Sequence, residues 1–170
     1  MNAVDNMLAQ LPKGKDYPLD DWHPPLCGEI DIVIKRDGSW WHEGRKIERE
    51  EIVSLFSNLL RFESDNGFVL VTPVEKWQIT VEDAPYIAVA LNIIEQQFTF
   101  AINNGKAFTL GAKHPLVIQG EAELAAPYIK LSEGVLAKLS RPVYYELAEH
   151  ATELDGVWGI QTNDGFYPLS

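Results

Sequence analysis

Cysteine is nearly absent: Cys27 is the one cysteine in the chain. That excludes an internal disulfide framework and fits a reducing compartment. Cations are scarce too, with 14 Lys and Arg against 25 Asp and Glu and a net charge of −11. Both halves share the deficit: residues 1–85 carry 16 acids against 9 bases, and residues 86–170 carry 9 against 5. The summed field repels a phosphate backbone and no Lys/Arg cluster offsets it, so duplex nucleic acid is excluded as a partner. A small anionic ligand is not, because a local pocket can be positive on an acidic molecule. No apolar run approaches the roughly 20 residues of a membrane span, and the longest, IAVALNII (residues 87–94), reads as a buried strand. The beginning, MNAVDNMLAQLPKGKD, carries Asp5 and has neither a basic n-region nor a long apolar stretch, which argues against secretion and for the cytoplasm.

The chemistry-bearing residues are thin as well. Glycines stand singly at turns, with neither a P-loop nor a dinucleotide fingerprint. His23 and Cys27 lie beside Glu29 and Asp31, but zinc needs about four ligands and Pro24-Pro25 holds this segment extended, so Cys27 reads as a small apolar residue beneath an arm. His42-Glu43 has no second histidine four residues on. No nucleophile, base and orienting group can be assembled. We therefore expect no catalytic residues, no metal and no cofactor.

What is present is a mixture of short strands and two helices. Residues 1–27 form an arm, with Val4, Met7 and Leu8 on one amphipathic turn and then too many prolines for regular structure. Trp22 pins it to the body. IDIVI, Asp37-Gly38 and SWWH read as a hairpin, and Glu43-Gly44 turns the chain again. Ile52, Leu55, Phe56, Leu59 and Leu60 make one apolar helical stripe, with Glu48, Glu50 and Glu51 in its first turn and Arg61 in its last. FVLV and WQITV follow as strands around TPVEK. The second half runs through YIAVALNII, QQFTFAI, KAFTL, HPLVI, PYIKL and VLAKL to a second helix, whose stripe is Tyr144, Leu147, Ala148, Ala151 and Leu154. VWGIQ and FYPL close the chain.

An offset of 96 residues sets Asp37-Gly38 on Glu133-Gly134 and Arg45 on Arg141, each followed by a helix. Near the same offset, Asn66-Gly67-Phe68 meets Asp164-Gly165-Phe166. The element order hairpin, Arg, helix, Asx-Gly-Phe, strand thus occurs twice, which predicts a duplication. The fold class expected is α+β: two tandem, related domains of mostly antiparallel strands with one helix each, residues 28–85 and 86–170 after the arm. Neighbouring strand residues face opposite sides of a sheet, so Trp40 and Trp41 need two covers. One is the helix, and the companion domain is expected to be the other. IDIVI, FVLV and IAVALNII lack alternation, as strands covered on both faces do.

The string G-x-I-D, D-G-x-W, V-T-P-V-E-K and V-E-D-A-P, within WHPPLCGEIDIVIKRDGSWWHEGRKIEREEIVSLFSNLLR and beyond, resembles the bacterial family called domain of unknown function 1285, over roughly residues 22–170. That resemblance implies two related α+β halves, the C-terminal one pleckstrin-homology-like, and a nucleotide-type ligand at an interdomain groove in a signalling role. It transfers no catalytic residue.

The candidate ligand-binding residues are Arg45, Glu75, Lys76, Trp77 and Arg141. In TPVEKW, Pro73 ends a strand, which places Glu75 and Lys76 at a sheet rim with Trp77 starting the next strand. A cation and an aromatic there can pair a phosphate and stack a base; a surface ion pair beside a core tryptophan is the plainer alternative. Arg45 and Arg141 are the repeat-related pair. The expected function is binding of a nucleotide-like small molecule. The alternatives are a protein-interaction module with a protein partner and, more weakly, a hydrolase.

Overall fold

The structure, a computed structural model, describes residues 3–11, 16–121 and 125–169. Pro12–Lys15, part of the expected arm, lie outside the described residues. The chain forms two compact units, residues 1–83 and 84–170. Each is a mostly antiparallel sheet with helix, so the α+β class and the tandem arrangement hold.

In the first unit, α1 (Ala3–Gln10) buries Val4 and Met7, and a 3₁₀ turn at Leu19–Asp21 follows. The sheet is built from β1 (Leu26–Ile34), β2 (Trp40–His42), β3 (Arg45–Lys46), β4 (Leu60–Glu63), β5 (Gly67–Val71) and β6 (Lys76–Val81), with α2 (Glu50–Ser57) between β3 and β4. Its order is β3-β2-β1-β6-β5-β4. Two three-stranded meanders thus meet along the parallel pair β1–β6. At the β2–β3 turn both central residues have positive φ, Glu43 at 51° and Gly44 at 77°. This is the geometry that matches the twist of a two-residue hairpin.

Helix α2 ends earlier than its apolar spacing predicts. Ser57 Oγ donates to Val53 O at 2.7 Å and Asn58 Nδ2 to Ser54 O at 2.9 Å, side-chain bonds that compete with continuation of the helix. Leu59 and Leu60 are still buried, but Leu60 opens β4, and Arg61 stands on that strand rather than at a helix terminus. Phe56 of α2 meets Trp40 with ring centroids 6.1 Å apart, and both rings are almost wholly buried. Trp41 points the other way. Lys35 Nζ lies 3.8 Å from its ring centroid and its Nε1 donates to Ser39 Oγ at 2.9 Å. Strand β5 is buried on both faces, with Val69, Leu70 and Val71 all at 0% exposure.

The second unit repeats the sheet. Its strands are β7 (Tyr86–Ile94), β8 (Gln97–Ile102), β9 (Ala107–Thr109), β10 (Leu116–Gln119), β11 (Ala126–Ser132) and β12 (Val135–Leu139). They run in the order β10-β11-β12-β7-β8-β9, again with the first and sixth strands parallel. The two sheets begin 60 residues apart, at Leu26 and Tyr86. The offset of 96 instead laid β1, β2 and α2 on β11, β12 and a helix that follows the sixth strand. Turn residues recur at every hairpin, so matching them can select the wrong one.

Here six residues, Leu110–Pro115, join opposite edges of the sheet. A flat sheet would separate those edges by roughly 24 Å, a span that such a link reaches only when fully extended. The link instead folds back, with reciprocal backbone bonds between Gly111 and His114. The sheet must therefore curl. Phe108 on β9 meets the His114 ring at 4.9 Å, and His114 Nδ1 is 3.1 Å from Lys130 O on β11. Helix α3 (Arg141–Ala148) follows, capped by Ser140 and burying Val143 and Leu147. A curled sheet followed by one helix is compatible with a pleckstrin-homology-like arrangement.

Two expectations change here. The helix ends at Ala148, so its buried stripe is Val143 and Leu147, while Leu154 is exposed on a later strand, β13 (Thr152–Leu154). Residues 87–94 are not buried throughout: Val89 and Ile94 are exposed. Strand β12 pairs with only Tyr86–Ala88, leaving the far end of β7 with β8 alone beside it. A third sheet, β13-β14-β15, adds β14 (Val157–Gln161) and β15 (Phe166–Pro168).

The two tryptophans therefore carry different loads. Phe56→Ala should destabilise the first unit by about 3–5 kcal/mol through the cavity left against Trp40. Trp41→Ala, at a half-exposed ring, should cost about 1 kcal/mol. Urea unfolding followed by circular dichroism measures both, and equal losses would contradict this packing.

Candidate functional site

The β2–β3 hairpin carries an open depression of about 420 Å³ lined by His42, Glu43, Arg45, Lys46 and Ile47. Its geometry follows from the strand pairing. His42 lies opposite Arg45 and Trp41 opposite Lys46, so each pair shares a face and the two pairs straddle the edge strand β3. His42 is mostly covered and its Nε2 lies 3.8 Å from Glu43 Oε1. Arg45 and Lys46 are exposed. Two full cations, one on each face of β3, thus line the depression together with an imidazole and one carboxylate, that of Glu43.

Of the predicted residues, Arg45 alone lines this depression. Lys76, Glu75 and Trp77 sit at the β5–β6 turn, as the position of Pro73 predicts, but they bond inward. The turn is built by Thr72, whose Oγ1 accepts from Val74 N and Glu75 N. Trp77 Nε1 donates to Glu75 Oε1 at 3.0 Å, and the Trp77 ring lies over Gly28. Glu75 Oε2 is buried without a hydrogen-bond partner among the described residues. Arg141 is exposed in the first turn of α3. The residues missed by sequence reasoning are His42 and Lys46. The signal that could have found them is the Glu43-Gly44 turn, which fixes their pairing with Arg45 and Trp41.

Lys76 belongs to a polar network on the sheet face opposite the buried Leu60 and Leu70. Its Nζ donates to both oxygens of Glu63, at 3.0 and 3.2 Å. Arg61 donates from Nε and Nη2 to Glu63 Oε2, at 3.1 and 2.6 Å. Asn66 Nδ2 donates to Glu63 Oε1 at 2.8 Å. Arg61 Nη1 then reaches the arm, donating to Leu19 O at 2.6 Å and Trp22 O at 2.8 Å. Burial alone would raise the Glu63 carboxyl, but the bonds from Asn66, Lys76 and Arg61 outweigh it and bring its pKa down to about 2. This network holds the arm to β4.

Cys27 is exposed rather than beneath the arm, and its thiol donates to Pro25 O at 3.7 Å. Among the described residues no group of three or more His, Cys, Asp or Glu could hold a metal ion.

Two family models match the chain: Domain of unknown function (DUF1285), N-terminal domain, over residues 17–84, and Protein of unknown function (DUF1285), C-terminal domain, over residues 85–169. The crystal structure of a DUF1285 family protein from Silicibacter pomeroyi DSS-3 is 34% identical, with a TM-score of 0.89 over 99% of this chain and 95% of that one. A second, from Shewanella baltica OS155, is 24% identical with a TM-score of 0.56, over 69% of this chain and 90% of that one, a likeness of fold alone. No curated protein matches the chain.

The lowered Glu63 pKa has a signed consequence. Its stabilisation is fully present above the unfolded value near 4.5 and is lost as pH falls towards 2. Between pH 6 and pH 3 the stability gap between the native protein and Glu63→Gln should shrink by roughly 2 kcal/mol, at about 1.4 kcal/mol per pKa unit. Urea midpoints across that range measure it; a gap independent of pH would remove the network's charge from the account.

Proposed function

The chain belongs to the DUF1285 family, and from the geometry of its first unit we propose that it binds a nucleotide-type small anion at the β2–β3 hairpin, as a ligand-binding component of bacterial signal transduction. The observation that carries this reading is that Arg45, Lys46 and His42 all line one open depression. Net charge does not oppose it. Fields of distant acids fade over a Debye length of about 8 Å at physiological salt, so a small anion responds to the cations next to it. Arginine offers a planar fork matched to phosphate oxygens, and lysine a point charge beside it. About 420 Å³ suits a small molecule.

Within this reading Arg45 keeps the role suggested for it, and Lys46 and His42 join it. Lys76 acts on the arm through Glu63 instead. Trp41, the cross-strand neighbour of Lys46, offers an aromatic ring on the same face as that lysine. The role is one of binding without catalysis, and a cytoplasmic setting is where such ligands are abundant. Among the described residues no helix is long and apolar enough to cross a membrane.

Thermal-shift measurements test it directly. Millimolar ATP, GTP or a cyclic mononucleotide should raise Tm by a few degrees, since a ligand at 100 times its Kd adds about 2.7 kcal/mol to the native state. Arg45→Ala and Lys46→Ala, both at exposed positions, should lose that shift while keeping the Tm of the free protein. Absence of a shift with every nucleotide overturns the proposal.

A further inference from the structure

The third sheet carries a surface with a different chemistry, and it lies in the other unit. Its strands β13, β14 and β15 pair in that order, so β13 and β15 are both edges. Sheets guard their edges with Pro, Lys, bulges or cover, because an open row of N–H and C=O groups accepts another strand. Strand β15 is guarded: it ends in Pro168. Strand β13 is Thr152-Glu153-Leu154, pairs with β14 without a bulge, and has all three residues exposed.

The outward face beside this edge is apolar. Leu154 lies opposite Val157, so both point to one side, and both are exposed, at 48% and 39%. Gly159 shares that side two residues on. A Cβ there would lie 2.7 Å from Phe166 Cζ, so the Phe166 ring lies across the glycine on the same face. Leu154, Val157 and Phe166 thus form a strip running inward from the open edge. The opposite face turns to the core through Ile160 and Leu169, with Trp158 at its outer end 55% exposed.

Charge selects what can pair here. From Pro142 to the end of the sequence there are five acids and no Lys or Arg, and one of the acids, Glu153, stands at the centre of β13. A second copy paired antiparallel about that centre would set Glu153 against Glu153, which is destabilising. Anionic lipid meets the same repulsion.

We infer that β13 is a docking edge for an extended peptide segment of a partner protein that alternates apolar and cationic residues. Its backbone adds a fourth strand, its apolar side chains lie on the Leu154–Val157–Phe166 strip, and its cations face Glu153. Main-chain bonds supply affinity and the alternation supplies specificity.

The test uses the full chain and a fluorescein-labelled, end-blocked heptapeptide of alternating Lys and Val, followed by fluorescence anisotropy. Saturable binding is expected, weakened at least tenfold by Glu153→Lys and by Leu154→Asp. Both positions are exposed, and circular dichroism verifies that the variants fold. The same peptide N-methylated on alternate residues keeps its charge but cannot extend a sheet, and should bind at least tenfold more weakly. No binding, equal binding of the N-methylated peptide, or indifference to both substitutions overturns the proposal. So does a concentration-dependent dimer in sedimentation that Leu154→Asp abolishes, which gives the edge to a second copy. Binding to phosphatidylserine vesicles that Trp158→Ala abolishes overturns it in favour of a membrane.

Discussion

The parallel pairing of a first strand with a sixth governs both units. Antiparallel neighbours can be joined by two residues, but parallel ones need the chain carried across or around the sheet. Each unit makes two meanders and must bring the fourth strand to the edge opposite the third. The first unit uses α2 for the crossing, and the apolar side of that helix becomes the cover for Trp40 and its neighbours. The second has only Leu110–Pro115, too short to cross a flat sheet, and so the sheet curls until β9 and β10 approach through Phe108 and His114. One topology is closed by two devices, and the choice decides where each unit's helix is free to go. In the second unit α3 follows the sixth strand and can close over the core through Val143 and Leu147.

The first unit's outer face needs its own solution, because α2 occupies the other one. Glu63 accepts from Arg61, Lys76 and Asn66, and Arg61 extends the network to two carbonyls of the arm. An ion pair alone on a surface contributes little. This one is largely sheltered, with side-chain exposures of 13–16% for Lys76, Glu63 and Arg61, and its charge is matched donor by donor. The same engagement explains why Lys76 serves structure while Arg45, on a short edge strand and with no such partner among the described residues, lines the open depression.

Much of this was legible from residues. The hairpins at Asp37-Gly38, Glu43-Gly44 and Glu133-Gly134, the tandem organisation and the division of Trp40 from Trp41 follow from turn chemistry and strand alternation. What was not legible has physical causes. The apolar run through Leu59 and Leu60 is common to a helix stripe and to the start of a buried strand; Ser57 and Asn58 break the helix between them. The sheet repeat escaped because its signature is pairing partners far apart in sequence, whereas the offset of 96 rested on turn residues that every hairpin shares. Arg45 was found from its position before a helix, yet its companions His42 and Lys46 come from the other side of a turn and are joined to it only by register.

The two proposed surfaces differ in the way an edge strand is left open. At β3 the edge is only two residues long, too short to template another strand, and its cations make it a place for a small anion. At β13 there is no cation, an apolar strip lies beside the edge, and the acids around it discourage copies of the same chain. Length, charge sign and apolar cover are separate variables of an edge, and this chain sets them oppositely in its two units. A residue that reverses the sign at either edge, such as a lysine in place of Glu153, would act on recognition there without touching the core that holds the sheet, because neither edge side chain contributes to it.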